Sequence, residues 1–297
     1  MTRVLSYNIR LGGTGQVEQL SKMIIAADPD IVGLVEATDA RVVEELAARL
    51  GMEFRITGRG KQERDWQVAV LSRLPILQSE VHTRPEVLTR RHILQVRVQG
   101  TDGQPLTVYV IHLTSQVHRG RESNRVRRGE VRALLSVMAA AQGTAHLAMG
   151  DFNSLAPGDS FETSKLVRSL LDQVQQATVK VSPPPWRRSI MFRLVHRLVH
   201  NKMGSALIDM IGPLYARGGI DLLLAASYVD CFRQLHQHER GYTFPADAPA
   251  TRIDYIFASP ELAVDLTTSE VVMESADVRG DEASDHLPVW AEFSSHI

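Results

Sequence analysis

Polar side chains that could bind a cation or move a proton follow several short apolar runs of this chain. Asn8 follows the apolar residues of LSYNIR, and Glu36 ends IVGLVE. Both runs are hydrophobic enough to be central strands, so their ends should lie side by side. A carboxylate and an amide oxygen placed together form a hard-oxygen set that suits Mg²⁺ or Mn²⁺. A strand-end carboxylate is more often a cap or a surface residue, so this pair alone does not define a site.

Further acids, amides and imidazoles occur at similar positions later in the chain. His112 follows the apolar run LTVYVI, where a single histidine is most often structural. Asp151 and Asn153 in MGDFNS are two residues apart, and an extended backbone would point them to the same side. Gly150 before them would permit close approach of the backbone to a ligand. The segment could also cap the next turn, so whether Asp151 and Asn153 belong to a site depends on the other residues of the set.

Asp254 in RIDYIF and the adjacent pair Asp285 and His286 in SDHLP complete the set. A buried carboxylate that accepts a hydrogen bond from one imidazole nitrogen fixes the tautomer and directs the other nitrogen toward a reaction centre. We expect Asp254 to hold His286 in this way. Each motif alone has an ordinary structural explanation, but six of them in one chain point to a common site.

The elements that must position these residues are apolar strands interspersed with amphipathic helices. Strands are predicted at Val4–Ile9, Ile31–Val35, Val68–Leu71, Ile93–Val98, Leu106–Ile111, Ala145–Met149, Ile253–Phe257 and Val289–Phe293. Helical periodicity predicts helices at Val17–Ala27, Ala40–Leu50 and Ser123–Ala141. Because no internal repeat or long low-complexity linker occurs, we predict one domain over residues 1–297.

Composition narrows the class of protein. At 297 residues with 44% hydrophobic side chains, the chain can form a sizeable core. The single cysteine, Cys231, excludes an internal disulfide framework and fits a reducing compartment. The first residues pass directly into a strand pattern without the features of a signal peptide, so we expect a cytoplasmic protein. The net charge of −1 argues against strong polyanion binding over the whole surface.

Residues 157–219 differ from the rest and are predicted to be a helical insertion. Within them, Trp186–Lys202 carries apolar residues on one helical face and mainly basic residues on the other. Such a helix could make peripheral contact with an anionic membrane or cover a substrate cleft, although packing on a core with a solvated face is more common. Its charges, and Gly204 interrupting it, exclude a transmembrane segment.

The chain resembles the endonuclease/exonuclease/phosphatase superfamily, whose members include DNase I, exonuclease III type repair nucleases, sphingomyelinases and inositol polyphosphate phosphatases. The resemblance covers nearly the whole chain, and the motifs that carry it occur in the family's order: YNIR, VEAT, VAVLSRLPI, IHLTS, MGDFNS, GYTFP, RIDYIF and SDHLPV. It implies an α/β (α+β) fold in which two mixed β-sheets pack face to face with helices outside, a DNase I-like four-layer sandwich. It also implies a metal-dependent phosphoric ester hydrolase with its site at one end of the sheets.

The resemblance also implies the ligands of the metal ion. Glu36 would be the principal ligand, with Asn8 and Asp285 close to the ion. The expected cofactor is Mg²⁺, with Mn²⁺ as an alternative. The sequence does not determine whether one or two ions bind.

The catalytic roles implied by the resemblance fall on five residues. Asp151 and Asn153 would orient the nucleophilic water and contact the scissile phosphate. His286, held by Asp254, would act as general base or as phosphate ligand. His112 matches the DNase I-like histidine that contacts the phosphate and protonates the leaving oxygen. Phosphodiester hydrolysis needs these functions, namely an in-line water, charge stabilisation and help for the departing alkoxide.

Departures from the patterns of individual subfamilies exclude some substrates without identifying the actual one. IHLTSQV stands where the exonuclease III type has Asn-x-Tyr-x-Pro-Asn, and Arg10 replaces an acidic residue expected there, so repair of abasic sites is not expected. The Trp-Cys-Asp-Arg motif of inositol polyphosphate phosphatases is also missing. In the arginine-rich stretch after IHLTS, Arg125 and Arg128 could bind further phosphates of a nucleic acid or nucleotide, or could belong to a solvated helix face.

Three functions therefore stay open. The first, which we favour, is a phosphodiesterase acting on nucleic acid or nucleotide, with in-line attack by an activated water. The second is a lipid or sugar-phosphate phosphodiesterase or phosphatase, similar to sphingomyelinases, at a membrane surface. The third is a non-catalytic binding protein on the same scaffold, which the retained acids and imidazoles argue against because buried charges are costly. The sequence does not determine the oligomeric state.

Overall fold

The computed structural model describes residues 1–58, 66–83, 91–100, 103–115, 121–177 and 197–294. Its strands are β1 Thr2–Asn8, β2 Ile31–Val35, β3 Glu53–Ile56, β4 Val68–Ser72, β5 Ile76–His82, β6 Ile93–Gln99, β7 Pro105–His112, β8 His146–Asp151, β9 Val229–Asp230, β10 Asp254–Ala258, β11 Leu266–Val271 and β12 Val289–Phe293. Its helices are α1 Val17–Ala27, α2 Ala40–Leu50, α3 Arg121–Met138, α4 Thr163–Ala177, α5 Lys202–Ala216, α6 Ile220–Ala225, α7 Cys231–Leu235, α8 Pro260–Ala263 and α9 Gly280–Ala283.

The strands form two six-stranded sheets. Sheet 1 has the order β11-β12-β1-β2-β4-β3, and sheet 2 has the order β5-β6-β7-β8-β10-β9. Each sheet contains one parallel pair, β1 with β2 and β7 with β8, and its other neighbours are antiparallel. Both sheets are therefore mixed, and the parallel pair at the centre of each brings two carboxyl-terminal strand ends to the same edge.

The sheets pack face to face across a core of mainly valine, leucine and isoleucine. Gly33 of β2 faces this core, and a Cβ at that position would lie 2.6 Å from Met149 Cε on β8, so glycine allows the sheets to approach. On the outer side of sheet 1 lie α1 and α2, and on the outer side of sheet 2 lie α3 and α6. The result is the four-layer DNase I-like sandwich that the resemblance implied.

All eight predicted strands are present, with bounds within two residues of the prediction. The helices predicted at Val17–Ala27 and Ala40–Leu50 are confirmed, and the third is α3 followed by a 3-10 turn at Ala139–Ala141. The prediction missed four strands, β3, β5, β9 and β11, each of which lies at or next to a sheet edge. Most residues of β5 are exposed, so it lacks the apolar run that marks a buried strand.

The predicted insertion, residues 157–219, contains α4 and α5, which pack against each other. Most of the predicted helix Trp186–Lys202 falls in 178–196, outside the described residues. Its predicted end is wrong, because Asn201 has an extended backbone (φ −98°, ψ 133°) and its side chain accepts a hydrogen bond from Met203 N at the start of α5. Gly204 lies inside α5 rather than interrupting a helix. Within the described residues, no helix combines the length and apolar character needed to cross a bilayer.

Candidate active site

Strand pairing brings the predicted residues to one end of the two sheets. In sheet 1, Asn8 pairs with Val35 in parallel β1 and β2, so Glu36 follows directly beside Asn8. In sheet 2, His112 pairs with Asp151 in parallel β7 and β8, and Asp151 pairs with Asp254 in antiparallel β8 and β10. Because the sheets face each other, Asn8 Nδ2 reaches across and donates to Asp151 Oδ2 at 3.2 Å.

His286 and Asp254 form the buried pair that the sequence predicted. His286 Nδ1 donates to Asp254 Oδ2 at 2.9 Å, and both side chains are less than a tenth exposed. His286 Nε2 lies 3.5 Å from Asn8 Nδ2, and Phe244 packs on the imidazole with 4.7 Å between ring centroids. Burial opposes a charge on this imidazole, but the carboxylates of Asp254, Asp151 and Asp285 outweigh it and raise the pKa of His286 to about 10.

Asp151 lies at the centre of the cluster and is almost completely buried. Its Oδ1 accepts from Asn153 N at 2.8 Å, and its Oδ2 accepts from Asn153 Nδ2 at 3.1 Å. Burial and the neighbouring charge of Asp254 raise the pKa of Asp151 to about 7, against the lowering effect of His286. A carboxyl kept in this environment is typical of an active site, because structural acids are usually solvated or fully paired.

The backbone around GDFNS differs from the predicted extended segment. Asn153 has a left-handed backbone (φ 47°), which turns the chain so that its amide reaches Asp151 and the carbonyl oxygen of Leu113 at 3.0 Å. The structure gives a further reason for glycine at position 150. Its φ is +145°, and a Cβ there would lie 1.9 Å from Ile111 O on the neighbouring strand, so strand packing already requires glycine.

Glu36 and Asp285 lie at the sheet 1 side of the cluster. Glu36 has a left-handed backbone (φ 58°), and its Oε2 accepts from Leu11 N at 2.7 Å while Oε1 lies 3.4 Å from Asn8 Nδ2. Strained φ values at non-glycine residues are typical of functional positions. Asp285 Oδ2 lies 3.6 Å from Arg10 Nε, so the arginine that departs from the family pattern faces a predicted metal ligand.

His112 is buried against the same carboxylate. Its Nε2 lies 3.5 Å from Asp151 Oδ2, and the edge of Trp66 packs against it with 5.3 Å between ring centroids. Burial and the positive charge of Arg91, with a smaller contribution from His286, hold the pKa of His112 well below 6.5. The imidazole is therefore neutral at pH 7, and it can donate a hydrogen bond without carrying a charge.

A cleft of about 250 Å³ opens over this cluster. Six of the predicted residues line it: Glu36, His112, Asp151, Asn153, Asp285 and His286. The others contact that group, since Asn8 bonds Asp151 and Asp254 bonds His286. The prediction did not include the other lining residues, which are mostly apolar or aromatic: Trp66, Arg91, Ser115, Phe161, Leu166, Phe244, Thr251 and Ile253. Phe244 was within reach of the sequence, because it lies in the motif GYTFP.

The donor atoms fit a divalent cation. One ligand atom from each of Asp151, Asp254 and His286 lies within 4.8 Å of the others. The second oxygen of Asp254, Oδ1, is buried and has no hydrogen-bond partner among the described residues, which is costly unless a cation or a solvent molecule contacts it. Glu36 joins this group through the shared Asn8 amide. The imidazole of His286 is charged at pH 7 and cannot serve as a ligand, but the carboxylate and amide oxygens of this end of the sheets, including those of Asn8, Glu36 and Asp285, are suitable ligands for Mg²⁺ or Mn²⁺.

The two arginines predicted to bind phosphate lie on α3. Arg125 is exposed, and Arg128 Nη1 donates to Asp221 on α6 at 2.6 Å. Neither is among the described residues that line the cleft. Phosphate binding by this pair stays a prediction, and it would require Arg128 to exchange Asp221 for the substrate.

The fold and the converging acids, amides and imidazoles define a DNase I-like phosphoester hydrolase. The model of the Endonuclease/Exonuclease/phosphatase family matches residues 5–286, and the chain therefore belongs to this family. A search of curated proteins found no match.

Several solved structures share the fold of this chain. An AP endonuclease from Archaeoglobus fulgidus superposes with a TM-score of 0.67 at 16% identity, covering 99% of this chain and 100% of that one. TDP2 of D. rerio superposes with a TM-score of 0.63 at 17% identity, covering 99% of this chain and 98% of that one. The 3′ phosphatase NExo from Neisseria superposes with a TM-score of 0.62 at 18% identity, covering 99% of this chain and 100% of that one. At these identities the likeness establishes the shared fold.

Proposed function

We propose that this protein is a divalent-metal-dependent phosphodiesterase that cleaves nucleic acid or a nucleotide by in-line attack of an activated water. The observation that carries the proposal is the buried cluster of Asp151, Asp254 and His286, joined to Glu36 through the amide of Asn8. Burying two acids and an imidazole together costs free energy, and a non-catalytic binding protein would have no reason to keep them. The cluster therefore argues against a non-catalytic binding protein on the same scaffold.

The proposed roles follow from which atoms face the cleft. Asp151 orients the attacking water and accepts its proton, while His286, which is charged at pH 7 and is fixed from behind by Asp254, contacts the phosphate. The neutral imidazole of His112 contacts the leaving oxygen of the phosphate, and the amide of Asn153 contacts a non-bridging oxygen by exchanging its bond to Asp151 for one to the substrate. These groups are held in place before substrate binds, so little reorganisation is needed during the reaction.

Asn8, Glu36 and Asp285 are proposed to hold the divalent ion, with Mg²⁺ favoured over Mn²⁺. When bound, the ion would stabilise negative charge on the phosphate oxygens and help to lower the pKa of a water. The side chains supply oxygen ligands, which match the preference of either ion.

Two observations support a nucleic acid or nucleotide as substrate. The similar Neisseria and D. rerio structures contain a product DNA hairpin and a single-strand DNA product, respectively. In this chain, Trp66 and Phe244 line the cleft beside the catalytic imidazoles, and aromatic rings of this kind can stack on a base. We also propose a cytoplasmic location, on the composition alone.

A substrate panel tests the proposed function. Purified protein with Mg²⁺ or Mn²⁺ should cleave DNA, RNA or nucleotide diesters in preference to phospholipids and phosphomonoesters, and EDTA should abolish turnover. Cleavage of nucleic acid should fall steeply as salt is raised, because phosphate contacts release counterions. Glu36→Ala should turn over at a small fraction of the wild-type rate. Equal turnover by that variant would mean that a contaminant is responsible.

One observation favours the lipid alternative. The outward face of α5 carries exposed apolar side chains, and the exposed residues at its two ends include cations and no acid: Met203, Leu207, Met210 and Ile211, with Arg197, Lys202 and Arg217. The acid of α5, Asp209, is turned toward α4, where it bonds Ser164. An apolar helix face bordered by cations matches the surface of an anionic bilayer.

Vesicle co-sedimentation tests this alternative. If α5 docks on lipid, wild-type protein should co-sediment with vesicles containing anionic lipid, and Met203→Asp with Met210→Asp should abolish it. Val264→Asp is the matched control, since Val264 is an equally exposed apolar residue outside α5. Absence of wild-type co-sedimentation, or equal loss in the control, would rule out docking through α5.

A further inference from the structure

Two buried charged residues of α3 have no part in the chemistry proposed above. Arg127 and Glu130 have no exposed surface, although α3 is a surface helix that also carries exposed charges. Burying charges is costly even when they are paired, so a buried ionic cluster requires an explanation other than stability alone. They lie three residues apart, on the same face of the helix.

Both side chains bind the same residue of the loop that follows β7. Glu130 Oε2 accepts from Thr114 N at 2.9 Å, and Glu130 Oε1 accepts from Thr114 Oγ1 at 2.7 Å. Arg127 Nη1 donates to Thr114 O at 3.0 Å. The N–H, hydroxyl and carbonyl of Thr114 are thus all bound from α3, which leaves this residue no freedom to move independently of the helix.

Arg91 fixes the other end of the same segment. Its Nη1 donates to His112 O at 2.8 Å, and its Nε lies 4.0 Å from Glu130 Oε1. Arg91 is only 5% exposed, and its guanidinium also lies over the ring of Trp66. The three charged side chains therefore form one cluster that holds residues 112–114 from both ends.

The segment they hold contacts three atoms of the active site. Leu113 N donates to Asp151 O at 2.9 Å, and Leu113 O accepts from Asn153 Nδ2 at 3.0 Å. His112 itself lies 3.5 Å from Asp151 through its Nε2. A shift of this segment would displace the imidazole and the amide that the proposed function assigns to the phosphate.

We infer that Glu130 is a positioning residue, which acts with Arg127 and Arg91 to hold residues 112–114 so that His112 and Asn153 face the scissile phosphate. This inference rests on the proposed function for the identity of the groups that are positioned. Here Arg127 is a buried support of the active-site loop, and it has no access to substrate.

The test compares two substitutions of Glu130 with a control on the same helix. Glu130→Ala removes both bonds to Thr114 and is expected to lower kcat by about 10²-fold with little change in KM, because a small misplacement of catalytic groups has effects of this size. Glu130→Gln can keep both contacts, accepting from Thr114 N and donating to Thr114 Oγ1. It should recover kcat to within roughly tenfold of wild type.

Leu134→Ala controls for loss of stability. Leu134 is fully buried four residues further along α3, and its side chain cannot hydrogen-bond to residues 112–114, so its truncation should lower Tm and leave kcat of the folded protein unchanged. Rates are measured below both melting transitions. The inference is overturned if Glu130→Ala loses no more kcat than Leu134→Ala. If Glu130→Ala does not fold, Thr114→Val replaces it and should lower kcat by about tenfold; wild-type kcat in that variant would overturn the inference.

A second readout separates this inference from the proposed function. The chain has four asparagines, Asn8, Asn124, Asn153 and Asn201, so selective ¹⁵N labelling gives four side-chain amide signals. Glu130→Gln should leave the Asn153 signal nearly in place, whereas Glu130→Ala or Thr114→Val should shift or broaden it and leave Asn201 unchanged. An unmoved Asn153 signal overturns the positioning role. If the signal moves but the wild type cleaves no substrate, the positioning stands and the proposed function fails.

Discussion

Replacement of His286 by alanine is expected to lower kcat by about 10²–10⁴-fold, the usual cost of removing a positioned acid or base. The imidazole is held by Asp254 through Nδ1 and lines the cleft. The variant should remain folded, because the imidazole belongs to the lining of the site rather than to the apolar core between the sheets. Steady-state rates on the substrate found by the panel, with circular dichroism melting, measure both effects.

His146→Ala is the matched control for this prediction. His146 is equally buried and also bonded through both nitrogens, to Thr144 O and Tyr228 Oη at 2.8 Å each, but it lies at the start of β8 rather than at its end. Its removal should lower Tm and leave kcat of the folded protein unchanged. If His286→Ala kept most of the metal-dependent activity, the role assigned to His286 would be wrong.

The apolar strands were predictable because burial on both faces leaves a continuous signal in the sequence. β2 and β4 are buried at every residue, and both were predicted with bounds within one residue. Five of the seven residues of β5 are exposed and three of these are polar, so nothing distinguishes it from a loop until its hydrogen bonds to β6 are seen. Edge strands are stabilised by pairing with a distant segment, and that information is not local.

The residues of the site were easier to predict than their backbone conformation. Glu36 and Asn153 both have positive φ. Asparagine tolerates this conformation, but glutamate does not favour it and no glycine follows Glu36. The strain at Glu36 is maintained by the surrounding structure, here by the bond from Leu11 N to its carboxylate. Sequence patterns report local preference, and the backbone of Glu36 opposes it.

The arginines of α3 show a second limit of prediction from sequence. Arg127 and Arg128 are adjacent in an arginine-rich stretch, but one is completely buried under Thr114 and the other is half-buried against Asp221. Only the position of the loop after β7 determines which arginine it covers, and that depends on strand pairing between distant parts of the chain.

Asp151→Asn is expected to lose activity by about 10²–10⁴-fold without losing stability when divalent ions are removed with EDTA. The carboxylate is buried beside Asp254, and its pKa of about 7 shows that the folded protein disfavours the charged form. Neutralising it removes an unfavourable contribution on the order of 4 kcal/mol above pH 7. The amide will face the donors of Asn8 and Asn153, at a cost of about 1–3 kcal/mol, so Tm should equal or exceed that of wild type.

The stability difference between Asp151→Asn and wild type should depend on pH. A carboxyl whose pKa is raised by folding destabilises the protein only at pH values where the same carboxyl is ionised in the unfolded chain. Wild type should therefore lose stability relative to Asp151→Asn as the pH rises from about 4 to 7. Above pH 7 the difference in stability should be constant. Asp30→Asn is the control, because Asp30 accepts from Arg3 N at the opposite end of β2 and should leave activity unchanged. A Tm for Asp151→Asn several degrees below wild type at pH 8 would contradict the view that this carboxylate is kept for catalysis at the expense of stability.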